Sequence, residues 1–577
     1  MLDHSCTVHT GRPALGTKNG TGFRWTSYGE LRKLVEHCRG GLAALGVGPG
    51  DCVAIVANNS VEWAVAAYAT YGLGATVIPM YEAQKPADWA FILRDSGAKV
   101  AILGSPAIRD RLRPRELGIP SFERAVTIGE TGDGTFERLL ETGARSPVQG
   151  RPPSAETIAT IIYTSGTTGT PKGVKLSHGN IMSNIDAVHE IFDFTENDRS
   201  LSFIPWAHAF GHTCELHTLL SLGASIGIND ALAHLPDNLL AVQPTVLIAV
   251  PKVFNGIFAH IHAEISRQPA IVRRVFEAAV RGALDERPRF SERLARVVAE
   301  RLLFPKIRER FGGKLKYAVS GGATLSKEVA ELIQTLGIVV YEGYGLTETS
   351  PMVTTNTPGH VKLGSVGRVI PGVTVKLERN PAFGGAEGEI VVFGPNVMQG
   401  YHNRPEEQAA AFTPEGGFRT GDIGTFDDDG FLHITGRIKE QYKLENGKYV
   451  APSRVEEELR LSPYIANVMV QGANKPYNVA VVALDVEAVS RWAKERGYSI
   501  EHPTEDQRVL ELIKREFTER TANLSEFERP RRFALATEDF TVENDLLTPT
   551  LKVKRARVFA RYGQALEALY RQAPTAQ

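Results

Sequence analysis

Short apolar segments that alternate with amphipathic, helix-like segments are the feature that most constrains the fold. This alternation runs through the first two thirds of the chain. It favours α/β layers with largely parallel sheets, because parallel strands need long crossover connections, which are usually helices. The strands that we predict are VAIVA (53–57), ATVIP (75–79), KVAIL (99–103), TIATII (157–162), TVLIAV (245–250) and LKYAV (315–319).

The later part of the chain changes character. From about Gly364 to Val397 the pattern is that of β-strands, with VTVKL, GEIVVF and many glycines. The polar stretch GRIKEQYKLENGKYV (436–450) follows it and precedes a further α/β segment. A chain of 577 residues is too long for one hydrophobic core. We therefore predict an N-terminal domain over residues 1–436 and a C-terminal domain over residues 437–577.

The net charge and the cysteine content limit the classes of function that the protein can have. The formal net charge is −1, which offers no basic field for nucleic acid. Cys6, Cys38, Cys52 and Cys214 are widely spaced and form no CxxC pair, so we expect neither disulfides nor structural zinc. The first residues lack the charged-then-apolar pattern of a signal peptide. We expect a cytoplasmic protein.

Two segments raise the question of membrane contact. Residues 63–80 are apolar, but they include Gly72, Gly74 and Pro79, so we predict a helix, a turn and a strand there instead of a membrane span. Residues 253–311 are charged and helix-like, with both charge signs mixed. Solvated helices around the core are our interpretation of that stretch, and a membrane-surface role is the alternative.

The stretch YTSGTTGTPKGV (163–174) is the strongest candidate for a binding loop. It is not a Walker P-loop, because Pro171 stands where the second glycine is required and Gly173 follows Lys172. What remains is a loop of small residues, rich in backbone N–H groups and hydroxyls, with a cation at its end. Such a loop can wrap a polyphosphate, since small residues let the backbone approach closely. A polar surface turn is the alternative interpretation.

This stretch and four others resemble the adenylate-forming superfamily of acyl-CoA synthetases, luciferase-like enzymes and adenylation domains of peptide synthetases. The others, in the family's order, are EGYGLTET (342–349), FRTGD (418–422), GRIK (436–439) and LLTPTLKVKR (546–555). The resemblance implies an α/β fold with a large N-terminal domain of mixed and parallel sheets, helices and a distorted β-barrel region. A small, mobile α+β domain would follow, with its hinge near Lys439.

The resemblance also implies a reaction. The enzyme would join a carboxylic acid to AMP at the expense of ATP, and would then transfer the acyl group to the thiol of CoA. It would have to hold ATP and Mg²⁺, offset charge at the α-phosphate and exclude water from a hydrolysable acyl-adenylate. The long helical insertion before LKYAV and the stretches ENGKYVAP and LLTPTLKVKR are most similar to long-chain fatty acyl-CoA synthetases. PWAHAFGHTCEL (205–216) departs from their usual segment.

Roles for individual residues follow from the resemblance. Thr167 and Glu348 would hold Mg²⁺, a hard ion suited to a carboxylate and phosphate oxygens. Tyr344 would lie on the adenine, and Asp422 would bind the ribose with support from Arg437. The full set that would bind nucleotide or CoA is Thr164, Ser165, Gly166, Thr167, Thr168, Gly169, Lys172, Gly321, Gly322, Ala323, Glu342, Gly343, Tyr344, Gly345, Thr347, Asp422, Arg437, Lys439, Lys443, Gly447 and Lys552.

Catalysis would depend on four of the motif residues. They are Thr167, His208, Glu348 and Lys552. Lys552 would neutralise charge at the α-phosphate as the acyl–phosphate bond forms, and Lys554 and Arg555 are the alternatives beside it. Lys443 and Gly447 would flank the pantetheine arm of CoA on the opposite face of the C-terminal domain.

His208 lies in PWAHAFGH and would stand near the acyl group. A metal site is the alternative interpretation, because His212, Cys214 and His217 are close by in the sequence. The stretch has no HExxH motif, since Ala209 occupies the position of the glutamate.

Two other functions remain open. The protein could load a carrier protein or stop at acyl-AMP, or it could be a non-catalytic relic that binds acyl groups or lipids. Glu348, Asp422 and Lys552 argue against a relic, and no carrier-domain serine motif is appended, which favours a free thiol acceptor. The expected partners are a fatty acid, ATP and CoA, with a peripheral membrane surface and a second copy of the chain as further expectations.

Overall fold

The computed structural model describes residues 1–112, 118, 124–165, 171–285, 287–379, 387–548 and 550–571, without the side chains of residues 165, 259, 260 and 263. The chain divides into two compact units. Unit 1 comprises Met1–Lys376, Val391–Thr420 and Phe426–His433. Unit 2 comprises Leu377–Ile390, Gly421–Thr425 and Ile434–Gln577. The domain limits predicted from the sequence, 1–436 and 437–577, stay a prediction.

The strands follow the alternation that the sequence predicts. All six strands predicted in the first two thirds are present, and their ends differ from the prediction by at most three residues. The β segments predicted after Gly364 are present as well. In chain order the strands are β1 (Pro13–Asn19), β2 (Gly22–Ser27), β3 (Cys52–Val56), β4 (Thr76–Met80), β5 (Ala98–Leu103), β6 (Arg124–Thr127), β7 (Ile158–Ser165), β8 (Pro171–Ser177), β9 (Arg199–Ser202), β10 (Ser225–Ile228), β11 (Val246–Ala249), β12 (Tyr317–Ser320), β13 (Val339–Gly345), β14 (Met352–Thr355), β15 (Arg368–Val369), β16 (Thr374–Arg379), β17 (Gly388–Phe393), β18 (Gly400–Tyr401), β19 (Phe418–Phe426), β20 (Leu432–Arg437), β21 (Tyr442–Lys443), β22 (Tyr449–Val450), β23 (Ile465–Gln471), β24 (Val479–Leu484) and β25 (Arg532–Leu535).

Helices connect most of the parallel strands. A π-helix spans Phe210–His217, and short 3₁₀ turns span Leu232–His234 and Thr347–Thr349. The α-helices are α1 (Leu2–Val8), α2 (Tyr28–Ala44), α3 (Val61–Gly72), α4 (Pro86–Ser96), α5 (Pro106–Leu112), α6 (Phe136–Arg145), α7 (His178–Ile191), α8 (Thr218–Leu222), α9 (Leu235–Val242), α10 (Pro251–Ser266), α11 (Ala270–Leu284), α12 (Phe290–Leu302), α13 (Phe304–Glu309), α14 (Lys327–Thr335), α15 (Pro405–Ala411), α16 (Pro452–Leu459), α17 (Val486–Glu495), α18 (Gln507–Arg520) and α19 (Arg555–Arg571).

The apolar stretch at residues 63–80 forms a helix, a turn and a strand, as predicted. The hydroxyl of Ser60 accepts a 3.0 Å hydrogen bond from the amide of Trp63 and so begins α3. The chain then turns at Gly74, whose φ of 69° favours glycine, and enters β4. None of the helices in the described part of the chain is long and apolar enough to cross a bilayer.

A seven-stranded sheet forms one layer of unit 1, in the order β18-β8-β7-β4-β3-β5-β6. Strands β3 to β7 run parallel to their neighbours, whereas β8 is antiparallel to both β7 and β18. The Val, Ile and Ala side chains of β3 and β5 are buried on both faces, as expected for a parallel sheet covered by helices. The core includes the fully buried Trp63 and Trp89.

A nine-stranded sheet forms the second layer, in the order β15-β14-β13-β12-β11-β9-β10-β1-β2. Its central strands β9 to β13 are parallel. The carboxyl ends of β11, β12 and β13 therefore lie at one edge, which is where ligands bind in sheets of this kind. A four-stranded sheet, β16-β17-β19-β20, contains the β region predicted after Gly364.

The charged stretch at residues 253–311 is helical, as predicted, and comprises most of α10 together with α11, α12 and α13. Helices α11 and α12 pack along each other. Phe276 of α11 is buried edge-to-face against Phe304 of α13, with ring centroids 6.3 Å apart. This aromatic contact joins α11 to α13.

Unit 2 has an α+β core. Its three-stranded sheet has the order β23-β24-β25, with β24 antiparallel to β23 and parallel to β25. Two apolar clusters cover the faces of this sheet, one with α16 to α18 and the other with α19. The hairpin β21–β22 precedes the sheet.

Candidate active site

The predicted phosphate loop joins two antiparallel strands, β7 and β8, of the seven-stranded sheet. Thr164, near the end of β7, pairs in register with Lys172 near the start of β8. The hairpin thus brings a hydroxyl and an ammonium group to the same end of the sheet. The predicted residues Gly166, Thr167, Thr168 and Gly169 lie outside the described residues, as does the side chain of Ser165.

Lys172 faces an aromatic ring from a later part of the chain. Its Nζ lies 5.7 Å from the centroid of the Tyr401 ring and 3.7 Å from Oε1 of Glu407. Tyr401 reaches this position because β18 pairs with β8, where Tyr401 is opposite Val174. The ring therefore forms a wall beside the cation at the end of the predicted phosphate loop.

Tyr401 also contacts the predicted metal ligand. Its hydroxyl donates a 2.8 Å hydrogen bond to Oε1 of Glu348. Burial, and next the charge of the adjacent Glu348 carboxylate, raise the pKa of the Tyr401 hydroxyl, which therefore remains a hydrogen-bond donor at neutral pH. One phenol thus links the GLTET turn to β18, the strand that pairs with β8.

The backbone of the turn that carries Glu348 has little conformational freedom. A Cβ on Gly345 would lie 1.7 Å from the carbonyl oxygen of Pro351, so only glycine fits there. The carbonyl of Glu348 accepts a 2.9 Å hydrogen bond from the amide of Met398. The side chain of Asn396 donates to the carbonyl of Thr349 at 3.2 Å. These contacts fix the backbone and leave the Glu348 side chain half-buried.

A second wall of the candidate site is formed by the carboxyl ends of the central strands of the nine-stranded sheet. Ser320, at the end of β12, pairs in register with Glu342 of β13. Gly321 follows, and a Cβ there would lie 3.1 Å from the Phe210 ring. The predicted residues Gly322 and Ala323 are exposed beyond it, with Gly322 at a φ of 83°.

Glu342 has a buried environment. Its Oε1 accepts a 3.2 Å hydrogen bond from the amide of Leu325, which ties the SGGATL loop to β13. Burial raises the pKa of the Glu342 carboxyl to about 7. The neighbouring Ser320 hydroxyl is buried and has no hydrogen-bond partner among the described residues, so it is available to a ligand.

The remaining residues of the predicted adenine wall follow along β13. Gly343 and Tyr344 pair with Thr355 and Thr354 of β14. Tyr344 is half-buried, and Thr347 is buried beneath the GLTET turn. The sheet edge therefore brings together every described residue of the 320–323 and 342–348 motifs.

His208 stands at the entrance to the π-helix. Its Nδ1 accepts a 3.2 Å hydrogen bond from the amide of Phe210, and so its Nε2 carries the proton of the neutral ring. Phe210, in turn, lies against Gly321. Two motifs that are far apart in the sequence, PWAHAFGH and SGGATL, therefore meet at the strand ends.

The other histidines of this segment have tyrosine partners. The Tyr71 hydroxyl is 2.9 Å from Nε2 of His212, and the Tyr68 hydroxyl is 2.7 Å from Nδ1 of His217. Burial lowers the pKa of His212 to about 4 and also lowers that of His217. No group of three or more His, Cys, Asp or Glu residues in the described chain is arranged to hold a metal ion. The alternative metal interpretation of this segment therefore has no structural support.

The π-helix explains why these two histidines share a face. Residues five apart are separated by about 140° around an α-helix of 3.6 residues per turn, but lie much closer together in the wider π-helix. The ring centroids of His212 and His217 lie 4.5 Å apart, and both rings reach tyrosines of α3.

In unit 2 the predicted ribose ligand is paired with its predicted neighbour. Nε of Arg437 donates a 2.7 Å hydrogen bond to Oδ1 of Asp422. Asp422 is buried, and Gly421 before it has a φ of 71°. The amide of Ile438 donates to the carbonyl of Gly421 at 2.8 Å, so FRTGD and GRIK lie side by side.

Lys552 is exposed, and the two neighbouring cations, Lys554 and Arg555, are half-buried. Lys554 contacts Asp545 at 2.6 Å, and Arg555 contacts the buried Glu456 at 2.6 Å. A tight turn holds Lys552, since the carbonyl of Lys552 accepts a 2.8 Å hydrogen bond from the amide of Thr548. These ion pairs make Lys554 and Arg555 poor candidates for binding a phosphate.

The residues predicted for the hinge and for CoA occupy turns of unit 2. Lys439 is exposed in the turn after β20. Lys443 of β21 pairs with Tyr449 of β22, and its Nζ lies 5.4 Å from the centroid of that ring. Gly447 closes the hairpin with a φ of 83°.

Sequence reasoning missed Tyr401. It lies in MQGYHN between β17 and α15, a stretch too short for any periodicity. Its contacts arise only when β18 pairs with β8, more than 200 residues earlier. Gly400 is the one signal that the stretch offers, since glycine is favoured where the backbone takes an unusual conformation or is approached closely.

The described residues fit a magnesium–nucleotide complex. Glu348 offers one hard carboxylate oxygen ligand, and Lys172 and the buried Ser320 hydroxyl offer donors for phosphate or sugar oxygens. Mg²⁺ is commonly held by one or two carboxylates together with substrate phosphates, so a larger cluster of acidic residues is not required.

Comparisons with known proteins agree with this arrangement. Residues 2–402 match the family model described as AMP-binding enzyme, and the chain belongs to that family. It is 33% identical to the long-chain-fatty-acid–CoA ligase FadD15 of Mycobacterium bovis, with 92% of this chain and 90% of the relative covered. It is 30% identical to the human long-chain-fatty-acid–CoA ligase 1, with 98% of this chain and 85% of the relative covered.

Solved structures give the same fold. The adenylation domain of a carboxylate reductase from Mycobacterium chelonae superposes with a TM-score of 0.82 at 25% identity, covering 99% of this chain and 90% of that one. The corresponding domain from Segniliparus rugosus, solved with AMP and a co-purified carboxylic acid, gives a TM-score of 0.81 at 24% identity over 99% and 93%. The predicted fold class, a large and a small domain of the adenylation type, is confirmed.

Proposed function

We propose that this protein activates a long-chain fatty acid with ATP to give acyl-AMP and then transfers the acyl group to CoA. The observation that carries the proposal is that Lys172 of the phosphate hairpin and Glu348 of the GLTET turn meet at Tyr401. Full-length relatives named as long-chain-fatty-acid–CoA ligases support the substrate class.

In the first half-reaction a carboxylate oxygen of the fatty acid attacks the α-phosphorus of ATP. The new O–P bond forms as the bond from phosphorus to the bridging oxygen breaks, and pyrophosphate leaves. Lys172 and the small-residue loop bind the departing phosphates, and Lys552 offsets charge at the α-phosphate. Glu348, together with Thr167 of the loop, would hold Mg²⁺, which would supply further charge neutralisation.

In the second half-reaction the sulfur of CoA attacks the acyl carbon. A C–S bond forms, the bond between that carbon and the AMP oxygen breaks, and the thiol proton is released. Lys443 and Gly447, which form an exposed hairpin, are proposed to flank the pantetheine arm, and Lys439 is the proposed hinge. Asp422 and Arg437 bind the ribose in this proposal, and Tyr344 lies on the adenine.

The acyl group is assigned to the surface formed by His208, Phe210 and Gly321. His208, whose Nδ1 accepts from the Phe210 amide, donates from Nε2, and the Phe210 ring excludes water from the reactive carbonyl. A cytoplasmic location with peripheral membrane contact belongs to the same proposal. The second copy of the chain that we expect from the sequence stays a prediction.

The test is a pyrophosphate-release assay with saturated acids of increasing length, with and without CoA. We expect release to rise strongly from acetate to hexadecanoate, and acyl-CoA to form only when CoA is present. Acyl-AMP that accumulates unchanged with CoA, but is consumed when an acyl carrier protein is added, would instead identify a carrier-loading enzyme. Absence of pyrophosphate release with every acid, under conditions in which the protein is folded, would identify a binding protein.

A further inference from the structure

Helix α12 presents large apolar side chains to solvent. Phe290, Leu294 and Val297 are 83%, 56% and 49% exposed. Their spacing of four and then three residues places them along one face of the helix. Ala295 and Ala299, on the opposite face, are buried. We call these three exposed side chains, Phe290, Leu294 and Val297, the α12 strip.

The α12 strip lies in the most basic part of the chain. Residues 287–316 contain ten Lys and Arg residues and three Asp and Glu residues, a formal excess of seven positive charges, although the whole chain has a net charge of −1. At the end of this stretch Arg310 pairs with Glu264 and Lys316 pairs with Asp198, so the unbalanced positive charge is carried mainly by the arginines within residues 287–301.

The two glutamates of α12 do not cancel this charge at the strip. Glu292 contacts Arg281 of α11 at 3.8 Å, and Glu300 contacts Arg308 of α13 at 2.5 Å. Each glutamate is thus engaged by an arginine from another helix. The two contacts hold α12 in place between its neighbours.

The arginines of α12 itself point to a different partner. Arg293, Arg296 and Arg301 are exposed and have no acidic side chain within ion-pair distance in the described part of the chain. In a helix of about 3.6 residues per turn, Arg293 and Arg296 lie along one side of the strip. An apolar stripe flanked by arginines is typical of helices that lie in the interface of an anionic bilayer.

The strip belongs to a helix group that begins at the candidate active site. Helix α10 starts at Pro251, directly after β11, and α14 starts at Lys327, directly after the SGGATL loop. Helix α11 packs on both of them and on α12. A surface held by α12 is therefore connected through packed helices to the strand ends beside Gly321.

We propose that the α12 strip, with Arg293 and Arg296, docks this protein on the surface of an anionic lipid bilayer. This inference rests on the proposed function, because a long-chain fatty acid partitions into bilayers and a docked enzyme would meet it there. The apolar side chains enter the acyl boundary while the guanidinium groups contact lipid phosphates.

A second copy of the chain fits this surface less well. In a two-fold symmetric contact the same patch meets itself, so the concentrated positive charge would face an equal charge. Like charges in an interface oppose association, whereas an anionic bilayer complements them.

The test is sedimentation of the purified full-length protein with phosphatidylcholine vesicles, with and without phosphatidylglycerol, in the absence of nucleotide. We expect binding to the anionic vesicles that falls as salt is raised. Replacing both Arg293 and Arg296 by Gln should weaken binding about thirtyfold, as expected for the loss of two charges worth about 1 kcal/mol each. The triple variant Phe290→Ser, Leu294→Ser, Val297→Ser should weaken it by at least about tenfold.

Matched controls exist in the same unit. Leu232 and Leu240 are also exposed apolar residues, outside the basic region. Leu232→Ser with Leu240→Ser should leave vesicle binding unchanged, and so should Arg24→Gln with Lys33→Gln. Equal binding of wild type and both α12 variants, or no binding by the wild type, overturns the docking surface. A wild-type dimer that the strip variant converts to a monomer, without vesicle binding by either, assigns the strip to a second copy and also overturns it.

Fatty acid activation in detergent micelles, measured on the same preparations, separates the two proposals. A protein that releases pyrophosphate with hexadecanoate but ignores vesicles overturns the docking surface alone. One that binds anionic vesicles through the strip but activates no acid overturns the proposed function alone.

Discussion

The hydroxyl of Tyr401 donates a 2.8 Å hydrogen bond to the carboxylate of Glu348, so the strand beside the phosphate hairpin and the GLTET turn share one side chain. The same ring lies 5.7 Å from the ammonium of Lys172. Tyr401 therefore orients the proposed metal ligand and borders the proposed phosphate site at once.

Tyr401→Phe should raise the Mg²⁺ concentration needed for half-maximal adenylation by about tenfold, because a hydrogen bond to a charged group is worth about 1.5–3 kcal/mol. The measurement is pyrophosphate release at fixed ATP as Mg²⁺ is varied. Tyr28→Phe is the control, since the Tyr28 hydroxyl donates to the carbonyl of Ala224 at 2.6 Å, far from these motifs in the chain. An unchanged Mg²⁺ dependence in Tyr401→Phe would show that Glu348 is positioned without the phenol.

Lys552→Ala should separate the two half-reactions. Acyl-AMP formation should fall by at least about a hundredfold, as for loss of a group that stabilises transition-state charge. Conversion of supplied acyl-AMP and CoA to acyl-CoA should continue. Lys554→Ala is the matched control, because Lys554 is paired with Asp545 at 2.6 Å and should affect stability more than adenylation. Equal losses in both half-reactions for Lys552→Ala would contradict the assignment.

Asp422→Asn should weaken ATP use through the ribose. We expect KM for ATP to rise by about tenfold, with a smaller change in kcat, since one charge-assisted hydrogen bond is removed. The sharper measurement compares ATP with an ATP analogue that lacks one ribose hydroxyl. Wild type should discriminate between them, and Asp422→Asn should discriminate much less. Identical discrimination by both proteins would remove Asp422 from the ribose site.

The sequence predicts the layers well because their signal is local. Apolar runs such as 53–57 and 245–250 are short, and turn residues bound them, so strands form where the pattern indicates. The helix that begins after Ser60 is equally local, since its cap lies next to it in the chain.

The parts of the site that could not be predicted depend on contacts between distant segments. Tyr401 reaches Glu348 only through a strand pairing that joins β18 to β8. Two histidines of the π-helix at Phe210–His217 make hydrogen bonds with tyrosines that lie about 140 residues earlier in the chain. No local periodicity of the sequence reveals these contacts. Identification of Asp422 and Lys552 depended on resemblance, because an aspartate in a turn and an exposed lysine carry no specific pattern of their own.

The buried carboxyl group of Glu215 should make the free energy of unfolding depend on pH. Glu215 of the π-helix is buried and accepts a 2.7 Å hydrogen bond from the hydroxyl of Ser200. Burial raises its pKa from 4.5 to about 7. The folded protein therefore holds this proton more tightly than the unfolded chain, and the associated stability is lost as pH rises from about 4.5 to about 7.

Glu215→Gln should flatten that part of the profile. The free energy of unfolding of the wild type relative to the variant should fall by on the order of 3 kcal/mol across this range and stay constant above it, since each pKa unit is worth about 1.4 kcal/mol. Urea unfolding at a series of pH values measures the difference. Parallel profiles for the two proteins would show that Glu215 titrates normally.

The most direct test of the proposed chemistry follows the oxygen atoms of the acid. Hexadecanoate labelled with oxygen-18 in its carboxyl group is turned over with ATP and CoA, and the nucleotide product is analysed by mass spectrometry. If the acid attacks the α-phosphorus, each AMP released should carry one labelled oxygen, in amounts equal to the acyl-CoA formed. Unlabelled AMP, or ADP and labelled phosphate in its place, would contradict the account.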